Sequence, residues 1–250
     1  MRRLLPILLL VFAGCARPTP AAEARMQVDA SAGELAARPG SPATRSTQTG
    51  LRRLGSGARA ALLYVPRSYS PEKPLPLIVM LHGAGGAGQH SADLVTDYAE
   101  RLGFIILAPS SRAASWDIIS SRSYGTDVAP LDAVLKQIFA EYAVDPKRLA
   151  VAGFSDGASY ALSLGIINGD LFSDIIAFSP GFMAPTRAEG RPNIFVSHGV
   201  QDRVLPIDVC SRRIVPQLKA GGYKVDYREF PGGHTVPPDL ASAAYQAFAT

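Results

Sequence analysis

Short apolar runs alternate with amphipathic segments from residue 60 to the end of the chain. The run at 75–81 is apolar at every position, which is typical of a strand buried on both faces of a parallel sheet. Similar runs predict further strands, at 62–65, 104–107, 149–153, 175–178, 194–197 and 223–230. These runs therefore predict a central sheet whose strands are covered by other elements.

Helices are predicted between these strands. Apolar residues at helical spacing over 131–142 indicate an amphipathic helix that Thr126 or Asp127 would cap. Other helices are expected at 91–102, 156–168 and 208–220 and after Pro238. The alternation of strands and helices predicts an α/β fold with a mainly parallel sheet and helices on both faces.

Residues 1–14 have the pattern of a signal peptide, with two arginines, a short apolar run and small residues before Cys15. The run is shorter than the roughly 20 residues that a helix needs to span a bilayer, so a lasting transmembrane anchor is not expected. The Phe-Ala-Gly-Cys sequence ending at Cys15 resembles a bacterial lipobox. The resemblance implies an exported protein that a lipidated Cys15 anchors in the cell envelope, at the outer membrane or cell surface. An ordinary secretory signal with an incidental cysteine is the alternative.

Composition separates a tether from a folded domain. Residues 15–50 are rich in Pro, Ala, Ser, Thr and Arg without apolar periodicity, which predicts a flexible tether after Cys15. Residues 51–250 are expected to form one domain, and the 47% hydrophobic content of the chain is enough for a sizeable core. The net charge of +4 forms no basic stripe, so nucleic-acid binding is not indicated.

A Gly-x-Ser-x-Gly sequence, from Gly153 through Ser155 and Asp156 to Gly157, lies between a predicted strand and a predicted helix. In this context the serine occupies a tight turn that exposes its hydroxyl, and the glycines relieve crowding around it. The positive end of the following helix points at the same place. Ser155 is therefore the candidate nucleophile, and a glycine-rich turn without catalysis is the alternative.

A serine nucleophile needs a base to take its proton, and the base needs an acid to orient it. Of the four histidines, His234 lies in a loop between the last predicted strand and helix, after two glycines. Asp202 follows the strand 194–197 by a few residues and is the preferred acid, with Asp208 as its rival. The predicted triad is Ser155, Asp202 and His234, in that chain order.

The intermediate also needs backbone donors for its oxyanion. The glycine-rich sequence that begins at His82 and Gly83 follows the buried strand 75–81. The backbone amides of Ala84 and Asp156, one from each loop, are the expected donors. We expect His82 to brace its loop by hydrogen bonds rather than act as a base.

Three loop side chains are candidates for lining a substrate pocket, namely Trp116, Tyr124 and Phe182, with a packing role the alternative for Trp116. Segment 179–193 contains too few large apolar residues to form a lid, so an open site is expected. An open site favours short to medium acyl groups and admits a bulky alcohol. No metal-ligand spacing or cofactor-binding motif occurs, so neither a metal nor a cofactor is expected.

Together these motifs resemble the α/β-hydrolase superfamily over residues ~58–250. The layout is similar to the phospholipase/carboxylesterase and polyhydroxybutyrate-depolymerase-like esterase families. The resemblance implies a serine esterase that cleaves small-molecule or polymeric carboxylic esters through an acyl-enzyme. A polymer-ester hydrolase or peptidase of the same fold, or an inactive surface-binding protein on this scaffold, is the alternative.

Overall fold

The computed structural model describes residues 29–57 and 59–250. The strands of this part of the chain are β1 (Gly50–Leu54), β2 (Ala61–Val65), β3 (Leu75–Leu81), β4 (Ile105–Ala108), β5 (Val144–Phe154), β6 (Asp174–Phe178), β7 (Asn193–Gly199) and β8 (Val225–Phe230). They form one sheet with the order β1-β2-β4-β3-β5-β6-β7-β8. The β1–β2 and β2–β4 pairs are antiparallel and the other pairs are parallel, so the sheet is mainly parallel, as predicted.

Helices cover both faces of the sheet. The described α-helices are α1 (Gly88–Leu102), α2 (Asp117–Ser120), α3 (Val128–Glu141), α4 (Asp156–Ile167), α5 (Ser211–Ala220) and α6 (Pro238–Ala249), and a short 3₁₀ helix is formed by Ala30–Ala32. Buried residues of α1 and α6 share one core cluster with Ile78 and Met80 of β3. Buried residues of α3, α4 and α5 share the other cluster with Leu77 and Val79. Alternate side chains of β3 therefore enter opposite cores, which explains why this strand is apolar throughout.

The sequence pattern missed a short strand and a short α-helix. The edge strand β1 has only five residues and is partly exposed, so its Leu-Arg-Arg-Leu sequence forms no long apolar run. The helix α2 has four residues inside a predicted loop. In addition, β5 begins at Val144 rather than at residue 149 and therefore includes a polar stretch, 145–148.

The prediction of a flexible tether through residue 50 is wrong for residues 29–49. Leu35 and Ala37 are buried, and the Leu35 amide donates a 2.8 Å hydrogen bond to Oδ1 of Asn168. The amides of Ala36 and Ala37 donate to Oδ1 of Asp132, each at 2.7 Å. A few buried side chains and satisfied amides offset the entropy of ordering a segment whose average composition is polar.

The predicted signal peptide, the lipidation site Cys15 and the first part of the tether lie outside the described residues. Within the described residues, no helix is both long enough and apolar enough to cross a membrane.

The parallel arrangement brings four loops to one edge of the sheet. Because parallel strands end on the same side, the residues that follow β3, β5, β7 and β8 lie close together. Leu81 is paired with Gly153, and Gly199 is paired with Phe230, at the ends of these strands. The loops that follow carry the oxyanion-loop candidates, Ser155, Asp202 and His234.

Candidate active site

Ser155 occupies a strained turn between β5 and α4. Its backbone angles are φ 58° and ψ −121°, in a region that non-glycine residues rarely adopt. Its amide donates a 2.9 Å hydrogen bond to the Phe178 carbonyl, which ties the turn to β6. The side chain is consequently held at the carboxyl edge of the sheet, as the Gly-x-Ser-x-Gly sequence predicts.

The two flanking glycines are required by close packing. A Cβ on Gly157 would lie 2.2 Å from the carbonyl oxygen of Leu81, and one on Gly153 would lie 2.3 Å from the Gly157 backbone. Both distances are far shorter than a real carbon contact allows. The glycines therefore let β3, β5 and α4 approach closely enough to form the turn.

Substitution of Gly157 with alanine is expected to destabilise the protein by roughly 1–3 kcal/mol, because the added methyl group forces apart α4 and β3. The denaturation midpoint measures this loss. Gly40→Ala is the matched control, since a methyl group on Gly40 would have no atom within 4 Å. Equal midpoints for the two variants would contradict the packing argument.

The structure brings the three predicted triad residues together. Nε2 of His234 lies 2.9 Å from Oγ of Ser155, and Nδ1 lies 2.6 Å from Oδ2 of Asp202. A carboxylate only accepts hydrogen bonds, so Nδ1 carries the hydrogen and Nε2 is free to accept from the serine hydroxyl. The Asp202 side chain is fully buried, whereas His234 keeps 14% of its side chain exposed toward solvent.

Asp202 is held by more than His234. Its Oδ1 accepts hydrogen bonds from the amides of Val204 and Leu205, each at 2.9 Å. Burial alone would raise the pKa of Asp202, but the hydrogen bonds from His234 and the two amides outweigh burial and lower it. The carboxylate therefore stays ionised beside the imidazole.

The rival acid, Asp208, lies in a different environment. Its side chain is 76% exposed and forms a 2.7 Å ion pair with Arg212. Of the two carboxylates that the sequence left open, the structure thus places Asp202 against His234.

His82 holds the glycine-rich loop after β3. Its Nε2 accepts a 3.0 Å hydrogen bond from the Ser111 amide, so Nδ1 carries the hydrogen and donates to the Gly83 carbonyl at 2.7 Å. Burial lowers the pKa of His82, which keeps the ring neutral. Both ring nitrogens are occupied, which agrees with the expected bracing role.

The braced loop lies against the candidate nucleophile. A Cβ on Gly83 would come within 3.3 Å of the Ser155 Cβ. Among the described residues, the amides of Ala84 and Asp156 have no hydrogen-bond acceptor. The Asp156 side chain accepts a 2.5 Å hydrogen bond from Oγ of Ser115. Asp156 therefore uses its carboxylate to hold the neighbouring loop while its amide stays available.

The pocket predictions for Trp116 and Tyr124 are wrong. Trp116 is 1% exposed, stacks on Tyr160 and donates its indole N–H to the His82 carbonyl at 2.9 Å. Tyr124 is also buried, and its hydroxyl donates to the Ala184 carbonyl at 2.6 Å. Both aromatic side chains pack against loops in the interior, so they have almost no exposed surface that a substrate could contact.

Phe182 is the one pocket candidate with substantial exposed surface, at 36%. It belongs to the loop 179–192, which contains no helix. The amide of the preceding Gly181 donates a 2.9 Å hydrogen bond to Oγ of Ser159, one helical turn after Ser155. This bond places the start of the loop beside the site, where it forms no cover.

The carboxylates of Asp117 and Asp127 hold the loop before α3 together, and the sequence pattern did not predict this role. Asp127 does not cap α3 with its side chain. Its carboxylate instead accepts 2.7 Å hydrogen bonds from the amides of Arg112 and Asp117, while Asp117 accepts from the Asp127 amide at 2.9 Å. Reciprocal bonds of this kind depend on the path of the loop, which no local spacing reveals.

Comparison with known proteins places the chain in a family. The Esterase family model matches residues 56–188, more than half of the chain. The chain belongs to the Esterase family. The part matched includes Ser155 and the oxyanion-loop candidates but ends before Asp202 and His234. The finer likeness to the phospholipase/carboxylesterase and polyhydroxybutyrate-depolymerase-like families stays a prediction.

Curated relatives of this chain include feruloyl esterase C from Emericella nidulans, which is 29% identical over 158 residues, covering 60% of this chain and 57% of the relative. An acetylxylan esterase from Coprinopsis cinerea is 29% identical over 141 residues, covering 52% of this chain and 37% of the relative. The chain thus spans 57% of the length of the feruloyl esterase relatives from Aspergillus flavus and Emericella nidulans.

Solved structures show the fold. S-formylglutathione hydrolase from Staphylococcus aureus superposes with a TM-score of 0.65 at 15% identity, covering 82% of this chain and 99% of that chain. A ferulic acid esterase from Anaeromyces mucronatus, in complex with ferulic acid, gives a TM-score of 0.62 at 18% identity, covering 85% and 95%. This member of the Esterase family therefore has the α/β-hydrolase fold, without a large lid in its described residues.

Proposed function

We propose that this member of the Esterase family hydrolyses carboxylic esters through an acyl-enzyme formed on Ser155. The proposal is supported above all by the continuous chain of contacts from Ser155 Oγ through both nitrogens of His234 to Oδ2 of Asp202. The three residues joined by these contacts supply a nucleophile, a base in the required tautomer and an ionised group that stabilises the imidazolium.

In the acylation step, Ser155 Oγ attacks the ester carbonyl carbon while Nε2 of His234 takes the serine proton. The negative charge that forms on the carbonyl oxygen is stabilised by the amides of Ala84 and Asp156. Asp202 stabilises the positive charge on His234 during this step. When the tetrahedral intermediate collapses, His234 returns the proton to the leaving alcohol, and the acyl group stays on Ser155.

In the deacylation step, water attacks the acyl-enzyme. His234 takes a proton from the water, and the same two amides stabilise the second oxyanion. Collapse of this intermediate releases the carboxylic acid and returns the proton to Ser155. No group other than the protein side chains, its amides and water is needed to balance these steps.

The open site suggests which esters fit. Loop 179–192 contributes Phe182 but no helix that covers the serine, so a long acyl chain finds little apolar surface to bury. One relative is named for esters of xylan, a polymeric alcohol. We propose short to medium acyl esters as substrates, with a saccharide or polymer accepted as the alcohol.

A series of p-nitrophenyl esters tests both the activity and the acyl preference. The value of kcat/KM is expected to be higher for acetate to hexanoate than for laurate to palmitate, because each methylene gains about 0.8 kcal/mol only when it is buried. The rate is expected to saturate smoothly with substrate, without a jump where the ester forms a separate phase. A higher kcat/KM on C12–C16 esters, or such a jump, would contradict the open-site argument.

We also propose that the esterase is exported and anchored by a lipid on Cys15, on the basis of the lipobox-like sequence. The Cys15→Ser variant, expressed in a bacterial host, is expected to lose the lipid and to leave the membrane fraction. The mass of the mature N-terminal peptide and the membrane partition measure this change. An unchanged mass and partition would remove the proposal, without bearing on the ester hydrolysis.

A further inference from the structure

A further buried histidine, His198, lies next to the Asp202 side chain and has no part in the steps above. It stands at the end of β7, and its side chain is fully buried. Its Nε2 lies 2.8 Å from the carbonyl oxygen of Leu205 and 3.2 Å from Oδ2 of Asp202. Its Nδ1 lies 2.7 Å from Oγ of Ser211, the first residue of α5. His198 thus contacts the residue that orients the catalytic base.

The contacts of His198 fix its tautomer. A backbone carbonyl only accepts hydrogen bonds, so Nε2 carries the hydrogen and donates it to Leu205. Nδ1 is then the acceptor, and the Ser211 hydroxyl donates to it. Burial lowers the pKa of His198, which agrees with a neutral ring held between these two partners. Ser211 therefore ensures that the N–H of His198 faces the turn that contains Asp202.

The Leu205 carbonyl belongs to the turn that holds the triad acid. The amides of Val204 and Leu205 donate to Oδ1 of Asp202, each at 2.9 Å, whereas Oδ2 accepts from His234. By holding Leu205 from the other side, His198 fixes the amides that orient the carboxylate. The same N–H also presents its positive end 3.2 Å from Oδ2.

We propose that His198 is a positioning residue for the reaction, which keeps Oδ2 of Asp202 aligned with Nδ1 of His234, and that Ser211 sets its tautomer. This inference rests on the proposed ester hydrolysis at Ser155. His198 contacts no reacting atom in this scheme; it acts through Asp202.

Two other titratable groups lie near His198: Glu229, which is paired with an arginine, and the uncharged thiol of Cys210. Glu229 is opposite His198 in the β7–β8 pairing, but its carboxylate binds Arg212 through two hydrogen bonds. Cys210 precedes Ser211 and is buried, and burial raises the pKa of its thiol. Neither group competes for the Nε2 hydrogen, so the link from His198 to the Asp202 turn accounts for its orientation.

Three variants test the proposal, with kcat and KM for p-nitrophenyl acetate measured beside the melting temperature. His198→Leu removes the N–H and is expected to lower kcat about 10²-fold with KM within about twofold of wild type, because a small misplacement of the triad is costly. His198→Gln keeps a side-chain N–H that can reach Leu205, and is expected to restore kcat to within about tenfold of wild type. Val196→Ala, a buried position on the same strand, is the control that lowers stability without touching the turn.

The outcomes distinguish a positioning role of His198 in catalysis from a role in stability alone. A His198→Leu protein that folds with the kcat of wild type would overturn the proposal. So would a loss of kcat in Val196→Ala equal to that in His198→Leu, or a His198→Gln protein no more active than His198→Leu. If His198→Leu does not fold, Ser211→Ala decides, with an expected drop in kcat of roughly tenfold and unchanged kcat as the overturning result. Activity that survives in Ser155→Ala would instead refute the ester hydrolysis itself.

Discussion

Replacement of Ser155 with alanine is expected to lower kcat for ester hydrolysis by a factor on the order of 10⁶, the largest effect of any single change in this protein. The hydroxyl is the group that would form the acyl-enzyme, and the strained turn leaves no other nucleophile at its position. His234 and the two loop amides remain in the variant, so a residual rate above that in water is expected. Release of p-nitrophenol from the acetate ester under saturating conditions measures the loss.

A fluorophosphonate probe gives an independent measurement of the same site. Wild-type protein is expected to be labelled at Ser155, and Ser155→Ala is expected to remain unlabelled at the same probe concentration. Ser41→Ala is a suitable control, since Ser41 lies exposed in the segment before β1. If wild-type protein takes up no probe, an inactive binding protein on this scaffold becomes the better interpretation.

The sequence predicted those strands that are buried on both faces, because burial requires an apolar residue at every position. β3 and the second half of β5 lie between two helical layers, so both of their faces must be apolar and their runs are conspicuous. The edge strand β1 buries little, and its pairing with β2 is decided by backbone hydrogen bonds rather than by side chains. The order in residues 29–49 is hidden for a related reason, because Leu35 and a few satisfied amides hold a segment of polar composition.

The candidate site was predictable where backbone geometry demands particular residues. The turn at Ser155 needs glycines at two fixed positions, and a loop after a parallel strand can only lie at the carboxyl edge, which fixed the neighbourhood of His234. The direction of a loop side chain has no such signature. The sequence therefore leaves Trp116 open between a pocket role and a packing role, and the structure shows packing, with the indole N–H donating to the His82 carbonyl. The link from His198 to Asp202 is similarly invisible in the sequence, since it depends on how one turn folds back.

The second large effect concerns the choice between Asp202 and Asp208. Asp202→Asn is expected to lower kcat about 10⁴-fold. The amides of Val204 and Leu205 donate hydrogen bonds, and only the side-chain oxygen of an asparagine can accept them. The asparagine oxygen therefore takes the place of Oδ1, and the NH₂ group faces Nδ1 of His234. A donor at that position favours the tautomer in which Nε2 carries the hydrogen, and that nitrogen then cannot accept the serine proton. Steady-state kinetics on p-nitrophenyl acetate measure the loss, with KM nearly unchanged.

Asp208→Asn is the matched control, since it makes the same chemical change six positions later in the chain. Its carboxylate is largely exposed and binds Arg212, which keeps a second partner in Glu229. The kcat of this variant is therefore expected to stay within about twofold of wild type. Because the two substitutions are identical in chemistry, a difference of several thousandfold between them can arise only from what each carboxylate touches. The reverse ranking would assign the acid to Asp208 and would mean that the 2.6 Å contact between Asp202 and His234 is not the one used in catalysis.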